Sequence, residues 1–229
     1  MLYRLNPGDP FPPSSLALQE PNGLLAVGAD LQPETLLAAY REGIFPWFNV
    51  DQPILWWSPD PRMVLYPNAL ILRRSLAKRI RNAGFEVRMD SCFADVMAAC
   101  ALPRPHQDGT WISPAMIEAY TQLHEQGFAH SVETWLHGEL VGGLYGVAIG
   151  QMFFGESMFS RVADASKVAL AALCRQLQAW QFGMIDCQMS TPHLASMGAR
   201  EISRKLFIQT VNELVKLPQH PGPWHIESV

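Results

Sequence analysis

Ala129-His130-Ser131-Val132-Glu133-Thr134-Trp135-Leu136, then Leu140 to Val147, then Gln151 to Phe159, is the stretch that decides the fold. Tight turns at His137-Gly138 and Ile149-Gly150 join the three runs, and both dipeptides suit hairpins, so the stretch predicts a three-strand meander. A helix is predicted next over Asp164 to Trp180, with Val168, Leu170, Ala171, Leu173 and Leu177 spaced for one buried face. Met184 to Met189 reads as a strand, Thr191 to Met197 as a short helix, and Arg204 to Leu217 as a closing helix.

Working back towards the N-terminus, Pro114 to Glu125 predicts a long helix that Gly127 terminates. Ile71 to Asn82 and Cys92 to Ala101 read as helices, with a short strand over Phe85 to Met89 between them. Upstream of that the proline usage changes. Eleven of the 18 prolines lie at or before Pro67, so loops, short strands and one helix are expected there. That helix is Pro33 to Arg41, with Pro33 in the first turn, Glu34 on the positive end of the dipole and Gly43 at the C-cap. The chain therefore divides into a small N-terminal α+β domain over 1–62 and a second domain over 63–229. The second has a central, mostly antiparallel sheet flanked by helices. Its meander-helix-strand-helix order is also that of acetyltransferase-like (GNAT-type) domains, a comparison of fold alone. The proline-rich tail Pro218–Val229 is expected to be loosely ordered.

Composition narrows the function. The 229 residues are 48% apolar and only 17% charged, against about 25% charged in an average domain, so wholesale disorder is excluded. The net charge of −4 excludes a uniformly basic coat but not a local basic patch. Cys92, Cys100, Cys174 and Cys187 form no CxxC pair, and the seven histidines form no ligand cluster, so no metal is expected. Met1 to Pro7 lacks the apolar segment of a signal peptide, and no window approaches the roughly 18 apolar residues of a membrane span. The expectation is a reduced, cytoplasmic protein that does not enter membranes, with a monomer as the default.

Two familiar motifs fail. Gly155-Glu156-Ser157-Met158-Phe159 lacks the last glycine of a nucleophile elbow and sits at the end of a meander strand. Gly142-Gly143-Leu144-Tyr145-Gly146 lacks the lysine and spacing of a phosphate loop, and its glycines suit strand twist or a close approach. Two polar segments in apolar surroundings hold more chemistry. In the first, Glu156 is flanked by Phe, Gly and Met, and its carboxylate is desolvated unless it has a partner. In the second, Met184-Ile185-Asp186-Cys187-Gln188, strand alternation puts Asp186 and Gln188 on one face and Cys187 on the other. Two readings stand: Glu156 pairs with Arg161 or another cation while Asp186 caps the Thr191 helix, or both carboxylates belong to a site. Likewise Arg73, Arg74, Lys78, Arg79, Arg81 and Arg88, six of the 17 cations in 16 residues, are either a solvated helix face or a phosphate-contacting stripe.

Longer strings resolve these choices by resemblance. They are Glu20-Pro21-Asn22-Gly23-Leu24-Leu25-Ala26-Val27-Gly28, Gly43-Ile44-Phe45-Pro46-Trp47-Phe48, Ile54 through Arg62, Gly109-Thr110-Trp111-Ile112, His130-Ser131-Val132-Glu133, Gly155 through Arg161, Ala165-Ser166-Lys167 and Asp186-Cys187-Gln188. In this order, from about residue 20 to about 207, they resemble the leucyl/phenylalanyl-tRNA–protein transferases of the bacterial N-end rule degradation pathway. The resemblance implies an enzyme that moves Leu, Phe or, less readily, Met from aminoacyl-tRNA to the α-amino group of proteins beginning with Lys or Arg. It implies no cofactor.

On that reading Gln188 orients the attacking amine through its side-chain carbonyl, and Asp186 either positions Gln188 or acts as a direct base. Glu156 positions the aminoacyl-adenosine end or the basic acceptor residue. Leu144, Phe153, Met158 and Ile185 are the candidates to line an aminoacyl pocket, with core packing as the alternative for each. Trp47 and Trp111, with Gly155 and Ser157, belong to the 3′-adenosine end of the tRNA, and Arg73, Arg74, Lys78, Arg79 and Arg81 to its phosphates. Two other functions remain to be weighed. An acyltransferase with a small acyl-thioester donor needs a pyrophosphate-cradling loop after a strand, and a non-catalytic reader of basic N-termini needs neither apolar pocket nor cationic stripe.

Overall fold

The computed structural model describes residues 2–103, 112–220 and 222–226. Its first part is a four-stranded sheet built from β1 (Tyr3–Leu5), β2 (Leu24–Gly28), β3 (Phe45–Pro46) and β4 (Leu55–Trp57) in the order β1-β2-β4-β3. Helix α1 (Pro33–Arg41) lies between β2 and β3 in sequence, with its Pro in the first turn and Gly43, at a φ of 68°, directly after the cap residue. β5 (Arg62–Leu65) then opens the large sheet. It is followed by α2 (Arg74–Asn82), β6 (Glu86–Met89), α3 (Phe93–Ala101), α4 (Pro114–Glu125), β7 (Ala129–Leu136), β8 (Glu139–Ile149) and β9 (Met152–Ser160). The chain closes with α5 (Ala165–Ala179), β10 (Met184–Gln188), α6 (Pro192–Ser196), β11 (Arg200–Ile202) and α7 (Arg204–Leu214).

The seven strands of the large sheet run β11-β5-β10-β9-β8-β7-β6, and every pairing is antiparallel except β9 with β10. The α+β class and the mostly antiparallel sheet read from the sequence are those observed. Because strand side chains alternate, consecutive residues feed two cores. Phe153, Leu144 and Ile185 pack with Val168 and Leu173 of α5, while Phe154, Tyr145 and Val147 pack with Val96 of α3, Tyr120 of α4 and Phe207 of α7. The second core continues into the small sheet through Leu25, Ala26 and Trp56. The glycines of β8 are consumed by this packing. A Cβ on Gly142 would lie 2.5 Å from that of Ala165, and one on Gly146 would lie 2.6 Å from the Phe153 ring.

Several expectations need correction. The helix expected from Ile71 starts at Arg74, because Pro67–Ala69 form a 3-10 turn and the Ile71 N–H donates to the Met197 carbonyl, holding the chain extended. Strands β5 and β11 were not anticipated. Each has four residues or fewer, without periodicity to read, and exists because of partners more than 100 residues away in sequence. The tail is not loose throughout: Trp224 is 1% exposed, its N–H donates to the Asp90 carboxylate, and its ring stacks on His130 with centroids 3.7 Å apart.

Candidate active site

β9 and β10 pair in parallel only over Met152–Phe154 and Met184–Asp186. Beyond that point each strand bulges away from the other's company. Opposite β8 the register skips Glu156, because Tyr145 faces Ser157 and Gly146 faces Gly155. Opposite β5 it skips Cys187, because Asp186 faces Val64 and Gln188 faces Met63. A bulge leaves one residue out of the ladder and re-aims its side chain. The two strands therefore diverge with Glu156 on one and Gln188 on the other, and the Gln188 side-chain amide donates to Glu156 Oε1 at 2.8 Å across the gap. Gln188 has a φ of 61°, a conformation that is costly for a residue with a side chain and is often kept at functional positions. The alternation expected of this strand holds through the bulge: Asp186 and Gln188 reach groups on one core, Arg62 between Phe45 and Phe207 and Glu156 beside Tyr40 and Tyr120, whereas Cys187 packs against the other, although all three border the cavity.

Asp186 is fully buried. Its two carboxylate oxygens accept from Arg62 Nε at 2.8 Å and Nη2 at 2.6 Å, and Oδ1 also accepts the backbone N–H of Gln188 at 2.8 Å. The Arg62 guanidinium lies between the rings of Phe45 and Phe207, 4.7 and 4.4 Å from their centroids. This disposes of the capping role: Asp186 caps no helix, and Thr191 caps α6 with its own side chain, accepting from the Leu194 N–H.

Glu156 is not paired with Arg161, whose guanidinium reaches the Leu140 carbonyl and the Phe159 ring instead. Its carboxylate accepts from the Tyr40 hydroxyl at 2.7 Å and the Tyr120 hydroxyl at 3.0 Å, and these two hydroxyls also contact each other. Burial pushes the Glu156 carboxyl up to about 7 against the pull of its three donors, with the nearby Asp186 charge adding to the rise. Burial and the Glu156 charge raise both tyrosines well above their ordinary range, so they stay neutral donors.

These groups open on a cavity of about 420 Å³. Leu144, Phe153, Met158 and Ile185 form its apolar wall together with Leu170 and Leu173 of α5, and Gly155 and Ser157 border it too. All nine site residues expected on β8, β9 and β10 thus meet in one place. Cys187 also faces the cavity, but burial raises its thiol, the wrong direction for a nucleophile. His193 also borders the cavity, its imidazole lowered by partial burial and by Lys167. Trp47 borders a neighbouring cavity of about 400 Å³ with Phe45, Trp57, Met189 and Ser190, so the segment Gln188–Ser190 joins the two. Trp111 lies outside the described residues. A larger groove of about 660 Å³ between α2 and α5 has Leu72, Ile80, Val168 and Ala172 on its walls and no carboxylate among the described residues.

The cationic stretch splits in two. Arg79 lies 3.8 Å from Asp164, which also holds Lys167 at 2.7 Å, and Arg88 pairs with Glu86 and covers the Trp135 ring. Arg73, Arg74, Lys78 and Arg81 are exposed without an acidic partner among the described residues. Sequence reasoning missed Arg62, Tyr40 and Tyr120. Arg62 ends the Trp-rich string, and an arginine inside such an apolar motif was the available signal. The tyrosines looked like ordinary core residues of α1 and α4, and nothing local distinguished them.

The family models and the curated relatives agree on the family. Residues 64–212 match the family model described as leucyl/phenylalanyl-tRNA protein transferase, and residues 29–60 match the N-terminal domain of the same family. The chain is 65% identical over 218 residues to the leucyl/phenylalanyl-tRNA–protein transferase of Thiobacillus denitrificans, covering 95% of this chain and 96% of that one. It is 60% identical over 227 residues to that of Nitrosomonas europaea, covering 99% and 96%. Similar solved structures include L-PGS from Bacillus licheniformis, at 9% identity and a TM-score of 0.42, covering 73% of this chain and 53% of that one. Another is a ribosomal-protein-alanine N-acetyltransferase from Brucella melitensis, at 15% identity and a TM-score of 0.33, covering 63% and 98%. The chain belongs to the leucyl/phenylalanyl-tRNA–protein transferase family.

Proposed function

We propose that this enzyme moves Leu, Phe or, less readily, Met from aminoacyl-tRNA to the α-amino group of proteins that begin with Lys or Arg, marking them for N-end rule degradation. The observation that carries the reading is the meeting of an apolar wall with Glu156, Asp186 and Gln188 in one cavity where β9 and β10 diverge. An apolar wall suits an unbranched or γ-branched side chain, and the adaptable Met158 lets one pocket accept three of them. The glycines of β8 lie within the meander, packed against Ala165, Val132 and Phe153, and so are not themselves the loop after a strand that would cradle the pyrophosphate of a thioester cofactor. A simple reader of basic N-termini would need no apolar pocket.

The reaction is aminolysis of an ester, in which the amine must be neutral and aligned on the carbonyl. A carboxylate can only accept, so the NH2 of Gln188 faces Glu156 and its carbonyl oxygen is left for the amine. Asp186, with both oxygens taken and its side chain inaccessible, acts by fixing the backbone of Gln188, a role that favours positioning over direct base catalysis. Trp47 and Trp111 would stack on or wall in the terminal adenosine, with Gly155 and Ser157 along the path to the ester. Arg73, Arg74, Lys78 and Arg81 would meet acceptor-stem phosphates without reading sequence, with Arg79 joining them only by giving up Asp164. We read the chain as an N-terminal domain over 1–62 and a catalytic domain over 63–229, acting as a cytoplasmic monomer without a cofactor. No helix among the described residues is long and apolar enough to cross a membrane.

Transfer of labelled phenylalanine from Phe-tRNA to a peptide beginning with Arg, beside its N-acetylated copy, tests the reading. Label on the free amine alone is the expected result. Label on neither peptide, with tRNA still bound, overturns it.

A further inference from the structure

We propose that Glu156, held by the hydroxyls of Tyr40 and Tyr120, is the group that takes the proton from the acceptor's α-ammonium. The inference rests on the transferase reading above and names a catalytic residue for it. Three oxygen–oxygen contacts close a ring here: Tyr40 to Glu156 Oε1, Tyr120 to Glu156 Oε2, and Tyr40 to Tyr120. Each contact needs one hydrogen, and the two phenols supply two. With Glu156 ionised one contact has none. A single added proton on Oε2 completes the ring: Oε2–H donates to Tyr120, Tyr120 to Tyr40, and Tyr40 to Oε1. Oε1 keeps the Gln188 amide throughout. The cluster is thus built to gain one proton and stop.

No cation among the described residues opposes that gain. The groups facing Glu156 are Tyr40 from α1, Tyr120 from α4, and Asp186 and Gln188 from β10, with His193 of α6 across the cavity. Arg62 is occupied with Asp186, whose charge adds to the rise. The resulting value of about 7, in place of the ordinary 4.5, suits the task. Against an α-ammonium of about 8, proton transfer to Glu156 is unfavourable by only about tenfold, whereas an ordinary carboxylate would face a roughly thousandfold or greater deficit.

The ammonium loses one proton to Glu156. The neutral nitrogen then attacks the ester carbonyl, forming the C–N bond, and the C–O bond to the ribose breaks. The second nitrogen proton ends on the departing ribose oxygen, and Glu156 releases its proton to solvent. Tyr40 and Tyr120 act through Glu156 and are positioning residues.

The test is single-turnover transfer from Phe-tRNA to an Arg-peptide between about pH 5 and 9 for wild type, Glu156→Gln and Tyr120→Phe, beside infrared titration of the carboxyl band. Wild type should show a rate limb and a carboxyl titration near the same pH. Glu156→Gln should lose the band and about 10²-fold or more in kcat, with KM for Phe-tRNA changed less than threefold. Tyr120→Phe removes a donor that favours the carboxylate, so limb and band should both move together to higher pH. A Glu156→Gln enzyme that keeps its kcat and pH limb and merely binds peptide more weakly overturns the proposal, as does an unmoved limb in Tyr120→Phe. A wild type that titrates but transfers nothing overturns the functional reading, and the proton step falls with it.

Discussion

Asp186 and Glu156 sit on either side of one gap, yet their partners differ in kind. Asp186 meets a guanidinium that is bidentate, buried and clamped between two aromatic rings. Glu156 meets two phenols and an amide, all neutral. A carboxylate that shares two hydrogen bonds with a clamped guanidinium is held in one place, because moving it would strand the buried cation. A carboxylate ringed by neutral donors can gain a proton and keep its neighbours. One side of the gap is thus fixed geometry and the other is chemistry that can change, and Gln188 touches both, through its backbone N–H and its side chain.

The most damaging way to break this contrast is Arg62→Met. It leaves Asp186 charged and buried without its partner, and a loss of about 3–5 kcal/mol is expected in urea unfolding. Arg62→Met combined with Asp186→Leu should recover much of that loss, since no lone charge remains, while transfer stays lost because the Gln188 backbone is no longer held. If Arg62→Met costs less than about 1 kcal/mol, the ion pair does not constrain this side of the gap and the contrast is wrong.

Glu156 should show itself in the pH dependence of stability. An acid that binds its proton more tightly when folded contributes stability that is present below its unfolded value of about 4.5 and is lost as the pH rises through its folded value of about 7. Glu156→Gln removes that loss. The variant and wild type should be similarly stable near pH 4.5, and the variant should be about 1–2 kcal/mol more stable at pH 8, allowing for solvent that enters the cavity. Thermal or urea unfolding at the two pH values checks this. A difference that is the same at both would mean that Glu156 does not change charge on folding.

This contrast was half visible in the sequence. The Glu156 and Asp186-Cys187-Gln188 segments stood out because polar groups in apolar strings are few, but their adjacency in the sheet became visible only in the structure. Helices α1 and α4 were readable to the residue because proline, caps and glycine mark their ends. What the two carboxylates face was not readable. Arg62 reaches Asp186 across 124 residues from a strand too short to carry a period, and Tyr40 reaches Glu156 across 116 from a helix whose tyrosine looked like ordinary core. The bulge at Glu156 reverses the phase of β9, so that Phe154 and Phe159 share one core and Phe153 and Met158 the other, and the side of the strand fails as a guide just where this carboxylate lies.

The same distinction, a charge with an opposite partner against one without, recurs on α2 with smaller stakes. Arg79 shares Asp164 with Lys167 and lies over Phe85, whereas Arg74 and Lys78 are exposed and have no acid beside them. Exposed cations that neutralise phosphates displace counterions, and each contact adds about 0.7–0.9 to the slope of log affinity against log salt. Arg74→Ala with Lys78→Ala should therefore lower that slope for Phe-tRNA by between 1 and 2 and leave kcat at saturating tRNA unchanged, because neither side chain borders the Glu156 cavity. Arg88→Ala is the control, since Glu86 already neutralises that charge, and its slope should match wild type. An unchanged slope in the double variant would make the stretch a solvated helix face and shift tRNA binding elsewhere. A fall in Arg88→Ala as large as in the double variant would mean that pairing with an acid does not decide which cations meet phosphate.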